Sequence, residues 1–135
     1  MAAPSPRATA TATQGLILPA DVNLARTRVI AIALGLADTF FTEAHYKLYG
    51  LDTMSPFSRM FAQLLGSCLL SGGAYTAVLA KGDSQEKAFG YAYAVIAAAA
   101  LKAGLVNAGE VGMGKAPFFV WGAIASYIAY KALDE

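Results

Sequence analysis

Two sets of polar residues in this sequence have types and spacings that could support chemistry inside apolar helices. Asp38, Thr42 and His45 are separated by four and three positions, so on a helix they share one face. The imidazole of His45 is a candidate axial ligand for a magnesium porphyrin or for haem iron. With Asp38 it is also a candidate proton relay. The third alternative is that this half-turn reaches the lipid headgroups, where its polar groups are solvated or paired.

Gln63 and Asn107 form the second set, as uncharged amides within largely apolar stretches. An amide oxygen can ligate magnesium without bringing a charge into lipid. Gln63 and Asn107 are therefore candidate cofactor-binding residues beside His45, with chlorophyll as the pigment they would suit. Hydrogen bonding between helices is the alternative role of such amides in membranes.

Catalytic motifs are absent from the sequence. It contains no GxSxG, no glycine-rich phosphate loop after a strand, and no pair of carboxylates on a convincing scaffold. The single histidine excludes bis-histidine haem within one chain, and the single cysteine, Cys68, excludes a disulfide framework or a CxxC metal site. Cys68 is expected to be a small buried apolar residue. We therefore expect no catalytic residues, no metal ion held by protein ligands alone and no enzymatic activity.

The segments that must position these residues are apolar and of membrane-spanning length. The chain is 57% hydrophobic and 14% charged, whereas a soluble domain is about 25% charged. Residues 60–80 carry no charge, with Arg59 before them and Lys81 after them. About 20 apolar residues cross a hydrocarbon core about 30 Å thick. The net charge of +1 provides no basic surface for nucleic acid.

Capping signals divide the chain into an arm over residues 1–21 and a helical membrane domain over residues 22–135. Ser55 followed by Pro56 is a helix start, Gly50 is a helix end, and glycines interrupt residues 108–116. We predict an all-α integral membrane fold with three to four transmembrane helices running up and down. Whether the first helix spans stays open, because only residues 29–37 are uninterruptedly apolar. The predicted helices are about 23–49, 56–80, 85–107 and 117–133.

The arm over residues 1–21 differs in composition from the rest of the chain. It is rich in Ala, Thr, Ser and Pro, and it has no acidic residue before Asp21. Organelle transit peptides share this composition. The arm has too few apolar residues to bury a core of its own, so we expect it to be extended and held by neighbouring chains.

Small residues recur at spacings of three and four along the last three predicted helices. Such faces allow helix backbones to approach closely. They could dock another protein or flat pigments, or they could pack within the chain itself. The residues are Ala62, Gly66, Ser67, Ser71, Gly72, Gly73, Gly90, Ala94, Ala98, Gly122, Ser126 and Ala129.

Over roughly residues 25–133 the layout resembles small four-helix membrane proteins of the DoxX-like families. The resemblance is carried by the turn Tyr49-Gly50-Leu51 and by the start of the second helix, PFSRMFAQLLG at residues 56–66. It implies a four-helix membrane fold and carries over no catalytic residues. Separately, the Ala- and Gly-rich helices and the transit-like arm resemble accessory subunits of algal photosystems in character.

These observations favour a non-catalytic accessory subunit of a large photosynthetic membrane complex, with photosystem I as the first choice. Its partners would be other subunits, lipids, chlorophyll and carotenoid, and its location the chloroplast thylakoid ahead of the mitochondrial inner membrane. One alternative is a small membrane carrier or quinone-linked redox protein built around Asp38, His45 and Lys102. Others are a subunit of a mitochondrial respiratory complex and a regulatory membrane protein that binds partners transiently.

Overall fold

The computed structural model describes residues 24–134, and over this range the chain is helical without any strand. The predicted arm, residues 1–21, lies outside the described residues. Helix α4 continues through a π-helical segment, Ala103–Asn107, into α5. The helices are α1 (Leu24–Phe40), α2 (Thr42–Lys47), α3 (Pro56–Ala80), α4 (Gln85–Lys102), α5 (Ala108–Val111) and α6 (Ala116–Asp134).

Local capping chemistry sets the ends of the two central helices. Ser55 accepts a hydrogen bond from the backbone N–H of Ser58 at 3.1 Å and caps α3. Ser84 accepts one from the N–H of Lys87 at 3.2 Å and caps α4. A hydroxyl in this position satisfies one of the free N–H groups of the first turn. Both starts agree with those read from the sequence.

The predicted first helix, at about residues 23–49, is two helices in the structure. Phe41 leaves helical geometry with φ −124° and ψ 34°, which separates α1 from α2. The hydroxyl of Thr42 donates to the backbone carbonyl of Asp38 at 2.6 Å. A threonine that bonds the carbonyl four residues back often bends a helix, and this bond lies at the kink.

The predicted third helix, at about residues 85–107, is longer and less regular than the sequence indicated. It runs on to Val111 because five residues, Ala103–Asn107, adopt π-helical geometry in place of a break. It then ends at Gly112, whose φ of 72° lies in the left-handed region that favours glycine. Short π segments within α-helices often mark functional sites.

The four long helices form an open row. Helix α1 packs on α3, α3 on α4, and α4 on α6. Among residues 24–134, α1 and α6 do not pack against each other, although that contact would close a four-helix bundle. Within residues 24–134 the row therefore has two free edges and encloses no central core.

Large apolar side chains point away from the interior of the row. Its buried apolar residues are one methionine, Met60, and nine alanines, whereas twenty-five large apolar or aromatic residues are exposed. The helices over Pro56–Ala80 and Gln85–Val111 are long and apolar enough to cross a membrane. Only 28% of the most apolar window of each is buried, whereas the core helix of a soluble protein would be mostly buried. The outer faces of the row therefore need a cover of lipid or of other molecules.

Glycines set the close approach of the helices within the row. A Cβ atom on Gly66 would lie 2.6 Å from the Cβ of Asp38 and 3.0 Å from the carbonyl oxygen of Gly35. Gly73 faces Ile32 at a similar distance. Gly90 and Gly122 pack in the same way between α4 and α6. These members of the small-residue faces therefore serve packing within the chain.

Four other members of the small-residue set are buried as well, namely Ala62, Ser67, Ser71 and Ala129. The remaining four members lie outside these contacts. A Cβ atom on Gly72 would meet nothing within 4 Å. Ala94, Ala98 and Ser126 are also exposed. The expectation that Cys68 is buried was wrong, because its side chain lies on the exposed face of α3. A surplus of small residues thus remains on the outside of the row.

Candidate functional site

His45 and Asp38 form a close pair across the kink between α1 and α2. The Nδ1 atom of His45 lies 2.5 Å from Oδ1 of Asp38. Their side chains are 14% and 7% exposed, respectively. The predicted sharing of one face by Asp38, Thr42 and His45 is confirmed, although the helix is bent between them.

A chain of hydrogen bonds continues from this pair into the two central helices. The hydroxyl of Thr42, which donates to the Asp38 carbonyl, accepts from Nε2 of Gln63 at 3.3 Å. Oε1 of Gln63 accepts from Nζ of Lys102 at 2.8 Å and from Nδ2 of Asn107 at 3.1 Å. Residues from α1, α2, α3 and α4 and from the end of the π segment are thus joined in one polar network.

The structure brings two of the three predicted cofactor-binding residues into direct contact and leaves the third separate. Gln63 and Asn107 are bonded to each other, whereas His45 is linked to them only through Asp38 and Thr42. Both ends of the Gln63 amide are engaged in bonds between helices. Its oxygen accepts a charged donor, and such bonds are stronger than neutral ones. This arrangement favours the interhelical role for Gln63 and Asn107.

His45 keeps one ring nitrogen free. A proton on Nδ1 bonded to the Asp38 carboxylate leaves Nε2 as an unprotonated acceptor. Nε2 has no hydrogen-bond partner among residues 24–134. Within this range, buried side-chain nitrogens and oxygens without a partner occur only on Thr39 and Arg59, so Nε2 is not a buried atom of this kind. Nε2 therefore reaches the surface of the row. Histidines that ligate metals are commonly oriented by a carboxylate in this way.

Aromatic rings border the imidazole. The ring centroids of Tyr46 and Tyr49 lie 5.6 Å and 5.3 Å from that of His45, both in edge-to-face geometry. Burial raises the pKa of the Tyr46 phenol above its ordinary value, and the negative charge of Asp38 raises it further. The phenol consequently remains protonated at neutral pH.

An ion pair and a small cavity lie beside the network, at the start of α3. Nη2 of Arg59 lies 2.5 Å from Oε1 of Glu43 and ties α2 to α3. A cavity of 310 Å³ lies here, lined in part by Thr42, Glu43 and Gln63. A larger hollow of 420 Å³ lies between the loop after α2 and the first turns of α3, lined by Tyr46, Phe57, Phe61 and their neighbours.

Sequence reasoning missed the bond between Gln63 and Lys102, although a signal for it was present. Two helices joined by a short turn run antiparallel, so residues at equal distances from the turn lie at the same height. Gln63 and Lys102 are equally far from the polar turn between α3 and α4. The Arg59–Glu43 pair carried no comparable signal, because it depends on the bend at Phe41.

Metal-ion sites made by several protein ligands were not predicted. In the part of the chain that the structure describes, no three His, Cys, Asp or Glu side chains come together in an arrangement that could hold a metal ion.

No protein-family model, no curated protein and no solved structure matches this chain. The resemblances to DoxX-like proteins and to photosystem subunits therefore stay predictions. The arguments on function that follow rest on the geometry of the chain itself.

Proposed function

We propose that this chain is a non-catalytic accessory subunit of a large membrane complex, held there through the faces of its open helix row. The observation that carries the proposal is the distribution of side chains: alanine and glycine inside, large apolar residues outside. In water this arrangement would expose an extended apolar surface, which soluble monomers rarely do. In a bilayer the same surface is compatible with lipid tails, pigments and apolar subunits.

The proposal includes three to four transmembrane helices. Helices α3 and α4 meet the length and hydropathy of a span. Helix α6 has 19 residues and α1 has 17, which at 1.5 Å per residue are about 28 Å and 26 Å long. Both pack lengthwise on a candidate span, so they would cross beside it. Helix α2, with its charged and aromatic residues, would then lie at the interface with the headgroups.

The polar network fits a structural role in such a subunit. It joins α1, α3 and α4, three of the four helices of a row that has no large apolar core among the described residues to hold it together. Polar groups at membrane depth are stabilising when they are bonded to one another. The network would fix the order and height of the helices, and the outer faces would remain free for partners.

For the identity of the complex, we propose a chloroplast photosystem, photosystem I first, ahead of a mitochondrial respiratory complex. The support is compositional: the transit-like arm and the excess of exposed small residues such as Gly72 and Ala98. Small residues beside exposed aromatic rings provide flat apolar surfaces, which chlorophyll and carotenoid would cover.

The experiment is native separation of membranes solubilised in a mild detergent, followed by a mass census of each band. The proposal predicts that the chain migrates in a high-mass band together with subunits of one complex and with pigment. Migration only as a free monomer would contradict it. A second detergent of similar mildness guards against dissociation during extraction.

The convergence of Asp38, His45 and Lys102 on one network favours a second candidate function. The alternative of a small membrane carrier or quinone-linked redox protein required these groups to meet within the row, and they are linked through Thr42 and Gln63. The test is a pair of variants, Asp38→Asn and His45→Ala, assayed for transport and for quinone-linked activity. Loss of activity in both variants would support this alternative, and unchanged activity in both would refute it.

A further inference from the structure

The pair formed by His45 and Asp38 differs from the rest of the polar network. Gln63, Lys102 and Asn107 bridge separate helices. His45, in contrast, bonds to a residue only seven positions earlier, within the same kinked segment. The contact positions the imidazole against a carboxylate and adds no link between distant parts of the row. The bond spans the kink and also fixes the orientation of the ring.

The orientation of the imidazole makes Nε2 a metal donor. Nδ1 faces the Asp38 carboxylate at 2.5 Å, and in the neutral tautomer with its proton on Nδ1 the lone pair of Nε2 is directed away from the carboxylate. Nε2 is unpartnered among the described residues and is not one of their buried orphaned atoms. Neutral imidazole with a carboxylate behind it is the common form of a histidine ligand, and the carboxylate raises its basicity.

The surface around His45 is apolar and unusually exposed. Phe41 lies four positions before it, and Leu48 and Tyr49 lie three and four positions after it, with the Tyr49 ring in contact with the imidazole. Their exposed fractions are 66%, 82% and 69%. A planar apolar ligand with a metal at its centre would cover these side chains while its metal met Nε2.

We propose that His45 is the single axial ligand of a metallotetrapyrrole bound at the bend between α1 and α2, and that Asp38 is its positioning residue. The tetrapyrrole supplies four nitrogen ligands, so the protein needs to supply only one, which agrees with the chain's single histidine. Both a magnesium chlorin and haem iron have this open axial position. The inference deepens the proposed function and rests on it, since the apolar surface around His45 is taken to lie at the membrane edge, where α2 meets the headgroups.

Titration of the full-length chain in detergent micelles with zinc protoporphyrin tests the proposal, since zinc takes one axial ligand as magnesium does. Metal-free protoporphyrin and haem are titrated in parallel. We expect one zinc porphyrin per chain, with a shifted Soret band, and much weaker binding of the metal-free form. Equal affinity for the two forms would overturn the proposal without recourse to any variant. Tighter binding of haem than of zinc porphyrin would support the site and identify a haem as its occupant.

Two variants and one matched control locate the site. His45→Leu should abolish the Soret shift, and Asp38→Asn should weaken zinc porphyrin binding by about 10- to 100-fold. Tyr46→Phe removes the neighbouring phenol and keeps the ring, so it should bind like the unmodified chain. Unchanged affinity in His45→Leu, at equal helix content, would refute axial ligation. If His45→Leu kept its affinity while the chain still migrated in a high-mass complex, the tetrapyrrole site would be refuted and the proposed function would stand. If the chain bound tetrapyrrole but migrated only as a monomer, the proposed function would be contradicted and the site would stand.

Discussion

Adding one methyl group at Gly66 should separate α1 from α3. The new Cβ would lie 2.6 Å from the Cβ of Asp38, 2.8 Å from Oγ1 of Thr39 and 3.0 Å from the carbonyl oxygen of Gly35. Ordinary contacts begin near 3.4 Å, so the Asp38 contact alone requires a shift of about 0.8 Å. Two of these three atoms are a backbone oxygen and a Cβ, which move only with their helix.

The expected cost follows from this geometry. Overpacking costs about 1–3 kcal/mol, and Gly66→Ala should lie at the upper end because the helices themselves must move. The gain in helix propensity from Gly to Ala is about 1 kcal/mol, so the net loss of stability should be about 2 kcal/mol. Gly66→Leu adds three more carbons at the same place and should cost more and weaken assembly.

Gly72→Ala is the matched control on the same helix. Its Cβ would meet nothing within 4 Å, so it carries the same propensity gain without the clash and should be neutral or slightly stabilising. Gly73→Ala should lie between the two, because its clash is with the side chain of Ile32, which can rotate. The assay is reversible unfolding in mixed micelles followed by circular dichroism. Equal stability of the Gly66 and Gly72 variants would refute the close contact between α1 and α3.

Three further perturbations test other parts of the account. Gln63→Leu removes the oxygen that accepts hydrogen bonds from Lys102 and Asn107, so the free energy of unfolding in micelles should fall by about 2–3 kcal/mol. An unchanged free energy of unfolding would mean that the network contributes nothing to stability. Glu43→Gln breaks an exposed ion pair and should cost at most about 1 kcal/mol, a difference that should shrink in high salt. Deleting residues 1–20 should leave the helix content per residue of the remaining chain intact but reduce its retention in the complex, measured on native gels. Full retention would refute the expectation that neighbouring chains hold the arm.

The sequence predicted the features that depend on local chemistry. The starts of α3 and α4 follow from Ser55 before Pro56 and from Ser84 after a polar turn, and each hydroxyl acts on its own first turn. The helical class follows from long apolar runs without strand alternation. These features require no knowledge of what each helix packs against.

The features that the sequence did not predict depend on contacts between distant segments. Thr42 can bond solvent or its own backbone, and its bond to the Asp38 carbonyl, beside the bend at Phe41, could not be read from the residue type. The π segment precedes the point where Asn107 reaches Gln63, a partner 44 positions away. The small-residue faces fit a closed bundle as well as an open row, because spacing shows which residues share a face and not which helix covers it.

The candidate site was predicted in its residues and only partly in its geometry. The spacing of Asp38 and His45 placed them on one face, where they form a pair. The same reasoning treated Gln63 and Asn107 as independent ligands, although they bond to each other. Their meeting depends on the alignment of α3 with the helix that follows it.

The most direct test of the central claim, a helix row embedded in a membrane, uses the natural Cys68. This residue lies midway along α3, twelve positions from either end, and is exposed on the row, about 18 Å from each helix end. A thiol reacts as its thiolate, which requires water. A membrane-impermeant maleimide applied to open membrane fragments, which it reaches from both sides, should therefore leave Cys68 unlabelled until the membrane is dissolved in a denaturing detergent. Lys81→Cys in a Cys68→Ala background, at the exposed end of the same helix, should be labelled at once. If Cys68 were labelled as fast as the thiol of the Lys81→Cys variant, the exposed face of α3 would lie in water. That result would contradict a helix row embedded in a membrane.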